Sequence, residues 1–216
     1  FAYCYALLAN PEYVRRFWSE LVIPGPHVPL TKDAKLFRQA AGLGTELIWL
    51  HTYGERFVPT GKKAGDLPKG VARITVPISQ APQDYPEHFA YEVATETLRV
   101  GTGEFKPVSQ DVWNFSVSGY DVVRAWLAAR MRGGSGKKSS SLDDLRPEHW
   151  TAAMTEELIR LLWILEATIE LFPNLESTLD DILGSDLFTV KELPSPSEAE
   201  RKPPAHEEEA SDRALF

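Results

Sequence analysis

The sequence predicts an α+β domain, with N-terminal helices, a central antiparallel β-sheet and long C-terminal helices that pack back on the N-terminal ones. Three observations predict it. Apolar residues recur at helical spacing on both sides of the chain's middle. The stretch between Pro59 and Val117 instead breaks into short β-rich runs separated by Gly, Pro, Asp and Gln. Finally, the 216 residues are 43% hydrophobic and 25% charged, which is ordinary for a chain that buries a real core. These values exclude a small stapled scaffold, wholesale disorder, collagen-like repetition and a membrane protein.

The chain opens in an apolar stretch, Phe1-Ala-Tyr-Cys-Tyr-Ala-Leu-Leu-Ala9, without an initiating Met, a basic flank or a cleavage-like tripeptide. A helix this apolar needs a cover, so the natural parent is expected to continue upstream. Asn10-Pro11-Glu12 reads as a cap followed by proline at the first helical position, with Val14, Phe17, Trp18 and Leu21 on one stripe ending before Pro24. From Thr31 to Gly54, Leu36, Phe37, Ala40, Leu43, Leu47 and Leu50 mark a longer helix. Candidate strands follow at Val71–Val76, Phe89–Val93, Thr97–Val100 and Val112–Val117, with a tight glycine turn at Gly101-Thr102-Gly103.

After Gly119 the helical period returns with Val122, Val123, Trp126, Leu127 and Met131, stopped by Gly133-Gly134. A flexible loop through Lys137, Lys138 and three serines leads to a long helix from Pro147 or Thr151 to Phe172. Its stripe of Met154, Leu158, Leu161, Leu162, Leu165 and Ile169 is widened by Ile159, Trp163 and Ile164, so it is buried on more than one side. A shorter amphipathic helix is predicted over Asn174–Leu183. The segments are thus helical over 1–54, sheet over 59–117 and helical over 120–187, within one domain of residues 1–190. Residues 191–216, acidic and proline-rich with few apolar residues, are predicted to be a disordered tail.

Charge and cysteine usage narrow the chemistry. Lys and Arg number 23 against 31 Asp and Glu, a net −8 that repels polyanions and anionic membranes, so any nucleic-acid contact must be local. The tail carries four basic and seven acidic residues, which leaves −5 on the rest. Cys4 is the one cysteine and the five histidines have no ligand-like spacing, which leaves no disulfide and no thiolate zinc site; the cytoplasm fits this usage.

Motifs for catalysis fail on inspection. A phosphate-binding loop around Gly136-Lys137 requires glycine where Met131 stands and Ser or Thr where Lys138 stands. Gly101–Phe105 follows a predicted strand but has neither a preceding carboxylate nor a following helix to hold a nucleotide-like cofactor. No serine sits in a nucleophile elbow, and Asn114-Phe115-Ser116 is a glycosylation sequon by composition only. Trp113, Trp126 and Trp163 are expected in the core; for His51 and Tyr53 near a helix end, packing there is favoured over a reach toward bases.

The informative residues run from Gly101-Thr-Gly-Glu-Phe-Lys-Pro-Val108 through Val112-Trp113-Asn114-Phe115 and Val117-Ser118-Gly119-Tyr120 into Val122-Val-Arg124-Ala-Trp126-Leu127-Ala-Ala-Arg130. This succession resembles the C-terminal specificity domain of Type ISP restriction-modification enzymes and related adenine-specific DNA methyltransferases. Phe1-Ala-Tyr-x-Tyr-Ala-Leu-Leu with Asn10-Pro11-Glu12-Tyr13, and Pro147-Glu148-His149-Trp150-Thr151 with Glu157-Leu158, resemble the same family in the same order, up to about Leu187. The family's methyltransferases carry Asp or Asn, two prolines and an aromatic as catalytic tetrapeptide; the nearest approach here is Asn10-Pro11-Glu12-Tyr13, a helix start.

The resemblance implies a target-recognition domain that binds duplex DNA and lacks catalytic residues of its own. The methyltransferase domain, with its S-adenosylmethionine, would lie N-terminally in the parent polypeptide and be this domain's other partner. Phosphate contacts would give register and major-groove base contacts sequence. The candidate DNA-binding residues form two basic clusters: Lys62, Lys63, Lys69 and Arg73, and then Arg124, Arg130, Arg132, Lys137 and Lys138. For Arg130, an ion pair or a carbonyl cap at the helix end competes with a phosphate contact. The rivals are an interaction module that docks the parent's catalytic domains without touching DNA and, more weakly, an intact small methyltransferase.

Overall fold

The computed structural model describes residues 1–21, 27–131 and 147–201. The chain begins with α1 (Ala2–Leu8), α2 (Pro11–Arg16), α3 (Trp18–Leu21) and α4 (Ala34–His51). The predicted cap is present: the Asn10 side chain accepts from the Glu12 N–H with Pro11 at the first helical position. Asn10 also donates to the Leu175 carbonyl (2.9 Å), tying this turn to the C-terminal helix. The longer helix starts at Ala34 rather than Thr31, because Asp33 accepts from the N–H groups of Lys35 and Leu36. Thr31 instead bridges to Leu187, with Lys32 N–H donating to Asp186 and Phe188 N–H to Leu30, both at 2.8 Å. At Gly44 the helices α1 and α4 approach so closely that an added Cβ would overlap the Ala2 carbonyl.

The sheet contains β1 (Arg73–Val76), β2 (Phe89–Glu92), β3 (Thr97–Val100) and β4 (Gly103–Lys106) in the order β1-β4-β3-β2, with antiparallel pairing throughout. The glycine turn closes the β3–β4 hairpin as expected, pairing Val100 with Gly103. The expected strand over Val112–Val117 is corrected. Ser109 caps a short helix, α5 (Gln110–Trp113), by accepting from the Val112 N–H, and only Ser116–Val117 (β5) is extended, pairing with Tyr120–Asp121 (β6). An N-cap serine with Asp111 in the first turn outweighs the β propensity of Val112 and Trp113.

Helix α6 (Val122–Arg130) buries Val123 and Leu127, followed by buried Met131. The last long element is one helix, α7 (Ala152–Leu183), capped by Thr151. The two helices read on either side of Pro173 are therefore joined. Proline removes one helical N–H, but Leu175, Leu179 and Ile182 beyond it are buried against the N-terminal helices, and that burial holds the helix on course.

Two cores share α7. Its first half, with Leu158, Leu162 and Leu165, covers the sheet residues Leu98, Val100 and Phe105 together with Val123, Leu127 and Trp150. Its second half, with Leu179 and Ile182, packs on Tyr3, Leu7, Tyr13 and Ala40. As expected, Trp113 is core; Trp126 and Trp163 are half-buried at its edge, and the Trp163 indole donates to the Ala72 carbonyl (2.8 Å). Past Leu187 the chain makes a 3₁₀ turn, Val190–Glu192, whose Glu192 pairs with Lys32 at 2.8 Å, and a short α8 (Glu198–Arg201). The rest of the tail predicted as disordered, and the Gly/Lys loop, lie outside the described residues. No helix among the described residues is long and apolar enough to cross a membrane.

Candidate functional site

Between α4 and β1 the chain makes an Ω-shaped loop, residues 55–64, whose ends meet where the Gly65 N–H donates to the Gly54 carbonyl (3.1 Å). Arg160 on α7 secures both ends, donating through Nη2 to the carbonyls of Tyr53 (3.2 Å) and Gly65 (3.1 Å) while its guanidinium lies 5.8 Å from the Tyr53 ring centre. Inside the loop, Lys62 N–H donates to the Pro59 carbonyl, and Lys63 N–H donates to Asp66 Oδ2 (3.0 Å). The loop is thus held from within and from the helix behind it.

From Thr52 to Arg73 the sequence has five basic residues, Arg56, Lys62, Lys63, Lys69 and Arg73, against Glu55 and Asp66. That is a local positive excess on an acidic chain. The Lys62 ammonium sits 4.5 Å over the buried Trp49 ring, a cation–π contact that orients an exposed lysine. Lys63, Lys69 and Arg56 are exposed, and no side-chain hydrogen bond or ion pair with another described residue holds any of them. Arg73 is exposed as well but turns back, donating to the carbonyls of Gly70 and Ala72. Of these five, sequence reasoning missed Arg56.

The loop joins the sheet through Glu166 of α7. Its carboxylate accepts from Val71 N–H (2.7 Å) and Ala72 N–H (3.1 Å), although burial, the dominant effect, raises its pKa above the ordinary range. A Cβ at residue 70 would occupy the position of Glu166 Oε2, so only glycine fits there.

The second basic cluster is arranged differently. Arg124 pairs with Asp121 (2.9 Å), donates to Asn114 Oδ1 (3.1 Å) and lies 4.4 Å over the Trp113 ring. Arg130 pairs with Glu157 (2.8 Å) and stacks 4.0 Å over Trp126, whose indole N–H donates to the same Glu157 oxygen (3.2 Å). The Arg130 carbonyl accepts from the Tyr85 hydroxyl (2.8 Å). Both arginines join elements of the fold; for Arg130 this is the ion-pair alternative foreseen from its place at the helix end. Arg132, Lys137 and Lys138 lie outside the described residues.

His51 is absorbed in packing, as expected. Thr168 Oγ1 gives its proton to the Ile164 carbonyl (2.7 Å), so it accepts from His51 Nε2–H (3.1 Å), and His51 Nδ1 accepts from the Tyr5 hydroxyl (2.7 Å). Burial holds the imidazole pKa below its ordinary value. Among the described residues no cluster of His, Cys, Asp and Glu is suited to a metal ion.

A search of curated proteins by sequence returns no match. Solved structures with a similar fold include two Type ISP enzymes. A nuclease-deletion mutant of the Type ISP restriction-modification enzyme LlaGI, in complex with a DNA substrate mimic, matches at TM-score 0.57 and 15% identity over 81% of this chain and 13% of that one. The ATP-dependent Type ISP restriction-modification enzyme LlaBIII bound to DNA matches at TM-score 0.50 and 14% identity over 90% of this chain and 11% of that one. The chain therefore spans about an eighth of the first enzyme's length and a ninth of the second's. The family model for the Type ISP C-terminal specificity domain matches residues 1–161, which include all four N-terminal helices, the whole sheet and the Ω loop, and the chain belongs to that family.

Proposed function

We propose that this domain recognises a DNA target for a restriction-modification enzyme, binding duplex DNA through the Ω loop and the basic residues that follow it. The observation that carries the reading is the contrast between an acidic chain and one pinned loop whose cations face solvent, in a family defined by specificity. Lys62, Lys63 and Lys69 would hold phosphates, with Arg73 at the edge of the same surface, and base contacts would be made in the major groove. Arg124 and Arg130 would act as scaffold. Arg132, Lys137 and Lys138 remain in the proposal as a second phosphate-facing group.

In this reading the chain is not itself an enzyme. Methyl transfer to adenine would belong to a methyltransferase domain of the parent polypeptide, in the cytoplasm, and S-adenosylmethionine would bind there. Gly101–Phe105 does not suit that cofactor, because β4 follows the turn where a phosphate- or ribose-holding loop would need a helix N-terminus.

The test is binding of the chain to short duplexes at several salt concentrations. Binding should weaken with salt, log K falling against log salt by about 0.9 for each phosphate contacted. Absence of duplex binding at low salt would favour the interaction-module reading, which has its own support in the exposure of Trp18 (65%) on α3.

A further inference from the structure

Phe57 is an anomaly within the Ω loop. It is 49% exposed and belongs to none of the apolar clusters that make up the core. Its φ is +53°, in the left-handed region that a bulky side chain disfavours and that glycine or asparagine adopts readily. The fold thus holds an aromatic ring in a strained conformation and leaves it facing water. Strained, exposed residues on an otherwise pinned loop point to a role outside the fold. Its neighbour Arg56 is exposed with no side-chain partner among the described residues, and Lys62 and Lys63 share the same closed loop.

Resting on the duplex-recognition reading, we propose that Phe57 is the loop's base-facing residue: an apolar ring set against base edges in a groove of the duplex, between phosphates held by Arg56, Lys62 and Lys63. The chemistry separates these roles. Phosphates are matched by the cations and offer nothing to a phenyl ring, whereas base edges, and the thymine methyl above all, accept apolar contact. A ring supplying that contact adds affinity that depends on sequence and little on salt. The loop that carries residue 57 is tied at both ends to Arg160, which limits how far its backbone can wander.

The experiment uses the 216-residue chain, its Phe57→Gly and Phe57→Asn variants, and a pool of duplexes with a randomised centre. Wild type is enriched on the pool, and all three proteins are then measured on the enriched duplexes over a salt series. Both variants relieve the backbone, so their Tm should equal or exceed that of wild type. Their affinity should fall roughly tenfold, as for loss of one base contact, with the salt slope unchanged and the selected sequence relaxed at one or more positions. Unchanged affinity and unchanged selected sequence would overturn the proposal while leaving duplex recognition standing. A fall in Tm for both variants would assign Phe57 to the fold and also overturn it. Failure of wild type to bind any duplex would overturn the recognition reading itself, and with it this one.

Discussion

The two basic clusters look alike in sequence and differ in what surrounds them. Around the Ω loop the backbone does the holding: carbonyls and N–H groups are tied to one another and to Arg160, so the lysine side chains stay outside, Lys62 over the Trp49 ring and neither lysine paired with a described carboxylate. On α6 the side chains do the holding: Arg124 and Arg130 meet a carboxylate and an indole each, and their charge is spent within the fold. A cationic residue becomes available to an external anion when its own neighbours are satisfied without it.

The largest effect separating the clusters is expected from reversing charge on the loop. Lys62→Glu with Lys63→Glu should leave the fold intact, because only the Trp49 contact is lost, and should flatten the salt slope of duplex binding by about 1.8, the sum of two contacts at about 0.9 each. An unchanged slope in the double variant would break the comparison, since neither loop lysine would then hold a phosphate.

A smaller effect of the opposite kind is expected from Arg130→Met. Removing a half-exposed ion pair and a cation–π contact should cost about 1 kcal/mol, lowering Tm by a few degrees, with the salt slope of duplex binding preserved. Thermal melting beside the same salt series reads both; a slope reduced by about 0.9 without loss of Tm would make Arg130 a phosphate contact after all.

The smallest effect sits away from both clusters and serves as their control. His51 is neutral between Tyr5 and Thr168 with its folded pKa below the ordinary 6.5. As pH falls through that window the unfolded chain takes up the proton first, so stability present above about 6.5 is progressively lost beneath it. Denaturant midpoints between pH 7.5 and 5.5 should therefore decline, and His51→Gln should flatten the decline.

Much of the architecture was legible in the sequence because its signals are local. Asn10-Pro11 and Thr151 announce helix starts, the periods of α4 and α7 announce buried faces, and the glycines after Val100 announce a hairpin. Where two local signals competed, the weaker-looking one prevailed: Ser109 caps a helix where Val112 and Trp113 suggested a strand, and burial beyond Pro173 keeps α7 whole. The candidate site was legible only in part. Lys62 and Lys63 stand out as charges, but the partner that closes their loop is Arg160, nearly a hundred residues away, and that of Arg130 is Glu157 on another helix. Nor does any sequence pattern announce that Phe57 takes a left-handed backbone.

The uninterrupted course of α7 has a consequence for how the domain comes apart. A rod of 32 residues, about 48 Å long at 1.5 Å per residue, is the common wall of both cores, so each core steadies the helix on which the other packs. Amide exchange along its middle should then be slower than at either end. A ligand that grips the loop tied to Arg160 should then slow exchange at Leu179 and Ile182 as well, to the extent that the two cores open together, though these residues pack in the other core.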